Sequence, residues 1–213
     1  LPDHGRSTED ILKEMKTYIA LEDKKWEDGY ISGAVYHGER DHLKCQNEAL
    51  SMYSLSNPLH PEIWPSLRKY EAEIISMTAS FLTGGGTNVC GSITSGGTES
   101  IMMAVKAHRE WGRRVKGITR PEMIIPATAH AAFDKAAECM CIQLIKLPVD
   151  QTSFTVDPKL VNQYITSNTI LIVGSAPNYP QGTIDPISDL STLAVARNVG
   201  LHVDCCLGGF VLP

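Results

Sequence analysis

The sequence predicts a mostly parallel α/β sheet covered by helices on both faces and preceded by a helical arm. Three observations carry this. From Val89 onward, short runs of β-forming residues alternate with stretches of helical periodicity, the order that builds crossover units rather than hairpins. One of those runs, Thr169–Gly174, is an unbroken apolar strand, as a strand buried on both faces must be. Before Val89 the apolar positions recur at helical spacing and end at Gly84-Gly85-Gly86, a clear helix stop.

The arm is taken as residues 1–86. Ser7 and Asp10 make a capping-box-like start, and Ile11, Leu12, Met15, Tyr18 and Ile19 fall on one face. A glycine-containing break from Gly29 to Gly38 follows, then a weaker helical stretch around Leu43–Tyr53. Ser56-Asn57-Pro58-Leu59-His60-Pro61 cannot be regular helix, because its two prolines restrict it on both sides. After it Leu67, Tyr70, Ile74, Met77 and Phe81 repeat at 3-4-3-4 spacing, which is a helix.

Residues 87–213 form the α/β part. The expected order is strand Val89–Ile93, helix from about Gly97 to Trp111, strand Met123–Pro126, and helix from about Ala131 to Met140. Strand Ile142–Leu147 comes next, then a helix opened by Asp157 as cap and Pro158 in its first turn. Strand Thr169–Gly174, helix Ser188–Asn198 with Gly200 as its stop, and strand Leu201–Asp204 complete it. No internal repeat or linker divides the region.

Composition excludes several classes. With 43% hydrophobic and 20% charged residues over 213 positions, the chain can bury a real core and is not disordered. A net charge of −5 without a block of Lys or Arg argues against nucleic-acid binding. No apolar run approaches a membrane span, the longest being Ile101–Val105. Cys45, Cys90, Cys139, Cys141, Cys205 and Cys206 match neither a disulfide framework nor a zinc site, so reduced thiols and no metal are expected. The first residue is Leu1 and the last, Pro213, follows an apolar run. Both ends are expected to be internal to a longer protein, and an N-terminal anchor, if any, lies outside this segment.

Ligands of open α/β sheets sit at the carboxyl ends of the strands, and polar residues follow four of the expected strands. Ser95-Gly96-Gly97-Thr98-Glu99-Ser100 stands between a strand and a helix. It is either a plain turn or an anion cradle of backbone N–H groups, to which the Ser95 and Thr98 hydroxyls can add donors. It lacks the Lys of a P-loop and the spacing of the dinucleotide fingerprint. His130, among Ala127, Ala129, Ala131 and Ala132, is either a capping residue or an imidazole with room for a flat partner. Gly174 to Gly182, holding Ser175 and Tyr179, is a rigid polar loop. Asp204 ends its strand and either caps the turn into Gly208-Gly209 or grips a ribose, a metal or a protonated ring nitrogen. Cradle, imidazole and carboxylate together suit a phosphorylated aromatic heterocycle with a basic ring nitrogen. Pyridoxal 5′-phosphate fits all three.

Ser-Gly-Gly-Thr-Glu-Ser (95–100), Ala129-His130-Ala131-Ala132-Phe133, Asp185-Pro186 and His202-Val203-Asp204-Cys205-Cys206-Leu207-Gly208-Gly209-Phe210 resemble the group II pyridoxal-phosphate decarboxylase family. Ser32-Gly33-Ala34-Val35-Tyr36, Ser56-Asn57-Pro58-Leu59-His60-Pro61 and Arg68-Lys69-Tyr70-Glu71-Ala72-Glu73 are similar to its lyase branch, whose members cleave sphingoid base 1-phosphates. Cys205 and Gln181 depart from the usual Ala and His of the family.

The resemblance implies the aspartate-aminotransferase-type large domain, truncated here, and a homodimer. It implies pyridoxal phosphate held by Gly96, Gly97, Thr98, His130, Ser175 and Asp204, with His130 and Asp204 as catalytic residues. It implies a sphingoid base phosphate held by Tyr36, Asn57, His60 and Tyr179, its products being a long-chain aldehyde and phosphoethanolamine. A cytosol-facing domain at the endoplasmic reticulum membrane, or else a cytoplasmic one, comes with that branch. The family's cofactor-bearing lysine lies beyond the aspartate, whereas Lys159 is the last lysine here. The isolated chain is therefore expected to be inactive. The alternatives are an amino-acid decarboxylase, or a stretch that only binds cofactor or dimerises.

Overall fold

The computed structural model describes residues 3–22, 25–31, 35, 37–85 and 88–212. They divide into two compact units, Leu1–Trp64 and Pro65–Pro213. That division groups the third helix with the sheet, earlier than the boundary expected after residue 86.

The first unit holds α1 (Thr8–Ile19) and α2 (Arg40–Tyr53). Ser7 caps α1 as its spacing predicts: its Oγ accepts the Asp10 N–H at 3.1 Å and donates to the Asp10 carboxylate at 2.6 Å. The apolar face of α1 (Ile11, Leu12, Met15, Tyr18, Ile19) is exposed. The segment that follows α2 is a series of turns. In it Asn57 Oδ1 accepts the Leu59 N–H at 3.0 Å, and the Asn57 carbonyl accepts the His60 N–H at 3.0 Å.

The second unit runs α3 (Pro65–Thr83), α4 (Gly97–Lys116), β1 (Glu122–Pro126), α5 (Ala132–Cys139), β2 (Gln143–Leu147), α6 (Pro158–Tyr164), β3 (Thr169–Ser175), α7 (Ile187–Arg197) and β4 (Gly200–Asp204). A 3-10 turn, Gly208–Phe210, follows. All four strands are parallel, in the order β2-β1-β3-β4. Alternate side chains feed two cores. Met123 and Ile125 of β1, with Leu171 and Val173 of β3, pack with α4 and α5 around the fully buried Phe133. Ile124 and Ile172 point the other way, to Val161, Leu190 and Ala194 of α6 and α7. This is the predicted three-layer α/β sandwich.

Two expectations are corrected. Helix α4 continues past Trp111 to Lys116 because Gly112 packs on β3, where a Cβ would stand 2.5 Å from Ile170 Cγ2. The stop is Gly117, in a left-handed conformation with φ 68. Val89–Ile93 is not a strand. The run finds no ladder partner among the described strands, and Val89 and Ile93 are about half exposed.

Candidate active site

The parallel strands deliver their carboxyl ends to one side of the sheet, and four sequence-predicted segments meet there. β3 ends at Ser175, which is buried and stands opposite Asp204 of β4 in the parallel register. The Ala176 N–H donates to the Asp204 carbonyl at 2.8 Å, which extends the ladder one step beyond the strand. The half-buried Asp204 carboxylate accepts the Cys206 N–H on Oδ1 at 3.3 Å. The capping role open from sequence is thus present, and the carboxylate keeps acceptor capacity beyond that bond.

The loop after β4 then brings the cradle alongside. A Cβ on Gly97 would lie 3.8 Å from Cys206 Sγ, and one on Gly96 would meet nothing within 4 Å. Gly96 is the N-cap of α4, with no side-chain cap bond. The N–H groups of Gly97 and Thr98 have no intrahelical acceptor by position, and both residues are exposed. Ser95 does not add its hydroxyl to this set. Its N–H and Oγ both donate to Glu99 Oε2, each at 2.6 Å, which holds the Glu99 carboxyl below the usual range. Glu99 thereby fastens the turn to the first turn of α4. A serine four residues before a glutamate at a helix start was the signal for this.

His130 lies after β1, exposed, and its Nδ1 accepts the Ala132 N–H at 3.0 Å. The ring is oriented from behind, with Nε2 as the protonated nitrogen when neutral. Beneath Asp204, on the same face of β4, the His202 ring meets Phe133 edge-on with centroids 5.7 Å apart. Burial pushes the His202 imidazole pKa down, against the pull of Asp204, so the group next to the carboxylate favours its neutral form. Burial likewise raises the Cys205 thiol, an inert neighbour rather than a nucleophile.

The loop after β3 is rigid for a reason the sequence does not show. Asn178 is buried. Its Oδ1 accepts from the N–H groups of Gln181 (3.1 Å) and Thr183 (3.4 Å), and its Nδ2 donates to Thr183 Oγ1 at 2.8 Å. Tyr179, at the tip, is 83% exposed. The other substrate candidates belong to the first unit. There the His60 Nδ1 lies 3.2 Å from Glu62 Oε1, so the imidazole has a carboxylate partner. Tyr36 lies outside the described residues. Among the described residues no cluster of His, Cys, Asp and Glu could hold a metal ion.

The family described as the pyridoxal-dependent decarboxylase conserved domain matches residues 1–213. A sphingosine-1-phosphate lyase of Dictyostelium discoideum is 48% identical over 213 residues, all of this chain and 40% of that protein. The solved sphingosine-1-phosphate lyase of Burkholderia pseudomallei superposes with TM-score 0.94 at 43% identity, over 100% of this chain and 50% of that one. A Lactobacillus brevis glutamate decarboxylase superposes with TM-score 0.82 at 20% identity, a likeness of fold. The chain therefore spans about 40% of the length of the curated relatives it matches.

Proposed function

We infer from the chain's place in the pyridoxal-dependent decarboxylase family, to which it belongs, that the whole protein is a pyridoxal-phosphate-dependent lyase. Its substrate is a sphingoid base 1-phosphate, cleaved to a long-chain aldehyde and phosphoethanolamine. The observation that supports this reading is the closeness of the Gly97 turn to the end of β4: a Cβ on Gly97 would lie 3.8 Å from Cys206 Sγ, and the Cys206 N–H donates to the Asp204 carboxylate. The substrate class follows from the likeness to sphingosine-1-phosphate lyases.

The residues present fit the cofactor. Free N–H groups at a helix start suit its phosphate, and a carboxylate suits a protonated ring nitrogen. When bound, the cofactor supplies an electron sink for the carbanion left by carbon–carbon cleavage. Gly96, Gly97 and Thr98 hold the phosphate, and Ser175 lines the strand end beside it. Asp204 keeps the ring nitrogen protonated by its charge, as electrostatic stabilisation rather than proton transfer. His130, fixed through its Nδ1, covers the ring. Asn57, His60, Tyr36 and Tyr179 serve the substrate's own phosphate and polar head.

A homodimer at the endoplasmic reticulum membrane, its catalytic domain facing the cytosol, completes the proposal. Among the described residues no helix is long and apolar enough to cross a membrane.

Assaying the whole protein for aldehyde release from sphingosine 1-phosphate tests the reading. Carbon dioxide release from glutamate or an aromatic amino acid, with no aldehyde, would replace it by the decarboxylase alternative.

A further inference from the structure

Asp185 is a buried carboxylate with no part in the chemistry described above. It is 2% exposed, and among the described residues no cation pairs with it. Two backbone donors converge on it instead: the Ser175 N–H reaches Oδ2 at 2.8 Å, and the Val156 N–H reaches Oδ1 at 3.3 Å. In return the Asp185 N–H donates to the Ser175 carbonyl at 3.0 Å. Ser175 and Asp185 are thus tied in both directions, closing the loop between them at its base. Only an acceptor on both branches satisfies this arrangement. An asparagine would turn its NH₂ toward one of the two N–H groups.

Burial pushes the Asp185 carboxyl upward, and the two N–H bonds only oppose that. Its grip ends at one place. Ser175 is the β3 residue opposite Asp204, and the next N–H, that of Ala176, holds the Asp204 carbonyl.

We propose that Asp185 is a positioning residue for Asp204: it clamps the end of β3 through Ser175 and so fixes the neighbouring strand end from which the Asp204 carboxylate projects. This rests on the reading of Asp204 as the partner of the ring nitrogen. A shift of the carboxylate by a fraction of an ångström weakens its alignment with the ring while leaving the phosphate cradle untouched.

The test is a double-mutant cycle on the whole protein. Asp185→Asn should lower kcat about tenfold with KM and cofactor retention near wild type. Placed on Asp204→Asn, it should cause no further loss. Wild-type kcat in Asp185→Asn, or the same loss repeated on Asp204→Asn, would overturn the proposal. A normal rate in Asp204→Asn alone would overturn the reading of Asp204, and the proposal with it. Should Asp185→Asn not give soluble holoenzyme, Asp185→Ala, which vacates space without adding a donor, takes its place in the cycle. Amide exchange in the wild type provides a readout independent of activity. The Ser175 N–H should be as protected as the interior of β3, and fast exchange there would also refute the clamp.

Discussion

Gly208 and Gly209 stand side by side in one motif, yet the structure separates them sharply. A Cβ added to Gly208 would overlap the Ala176 carbonyl oxygen and stand 2.8 Å from Leu212 Cδ1. The leucine tip can swing aside. The Ala176 peptide cannot, because its N–H is committed to Asp204 and the residue is 7% exposed. Relief requires the Gly208–Phe210 turn to lift from the end of β3. Over-packing costs about 1–3 kcal/mol, and a collision with fixed backbone belongs at the upper end, about a hundredfold in an equilibrium constant. At Gly209 the added Cβ would meet Cys205 Sγ at 3.4 Å, an ordinary contact that costs about 0.5 kcal/mol or less. Neither glycine has a left-handed φ, so the contrast is steric. In the whole protein, Gly208→Ala should lower the thermal midpoint and weaken pyridoxal phosphate binding at least tenfold in an absorbance titration. Gly209→Ala should do neither. Equal behaviour of the two variants would refute the reasoning.

Asp204→Asn should retain cofactor but lose on the order of a hundredfold or more in kcat, since an amide cannot hold a ring nitrogen protonated; a near-normal rate would make the residue structural. His60→Ala should raise KM for sphingosine 1-phosphate and leave the cofactor spectrum unchanged, whereas an unaltered KM with a lower thermal midpoint would assign the His60–Glu62 contact to stability alone. His202 gives a pH dependence. Its pKa is lowered from 6.5 by burial, so its contribution is fully present above 6.5 and lost as pH falls from there toward the folded value. His202→Gln should flatten the thermal midpoint across that acid window, and an unchanged slope would remove His202 as the cause.

The order of elements was legible because strand and helix periods differ and because Ser7 and Asp157 punctuate them. What misled was local. Gly112 breaks the helical pattern in sequence but packs on Ile170, and the β-like run at Val89 meets no neighbouring strand. The placement of three candidate residues at strand ends was legible too, since His130, Ser175 and Asp204 stand at or after apolar strands. The site's internal wiring was not. The Asn178 hub and the burial of Asp185 depend on register and loop closure, which no single-residue signal encodes.

The sheet order carries a kinetic consequence. β1 pairs with β3 rather than closing on β2 alone, so the Glu122–Thr169 pairing joins residues 47 positions apart. Closing so long a loop costs chain entropy before any contact offsets it, and topologies dominated by such pairings fold slowly. β3 joins the edge of β1 opposite β2, and only on β3 can β4 align Asp204 with Ser175. The paired strand ends of β3 and β4 are therefore late parts of this sheet to exist during folding. Cofactor capture should lag behind the appearance of helix and strand signals instead of accompanying them.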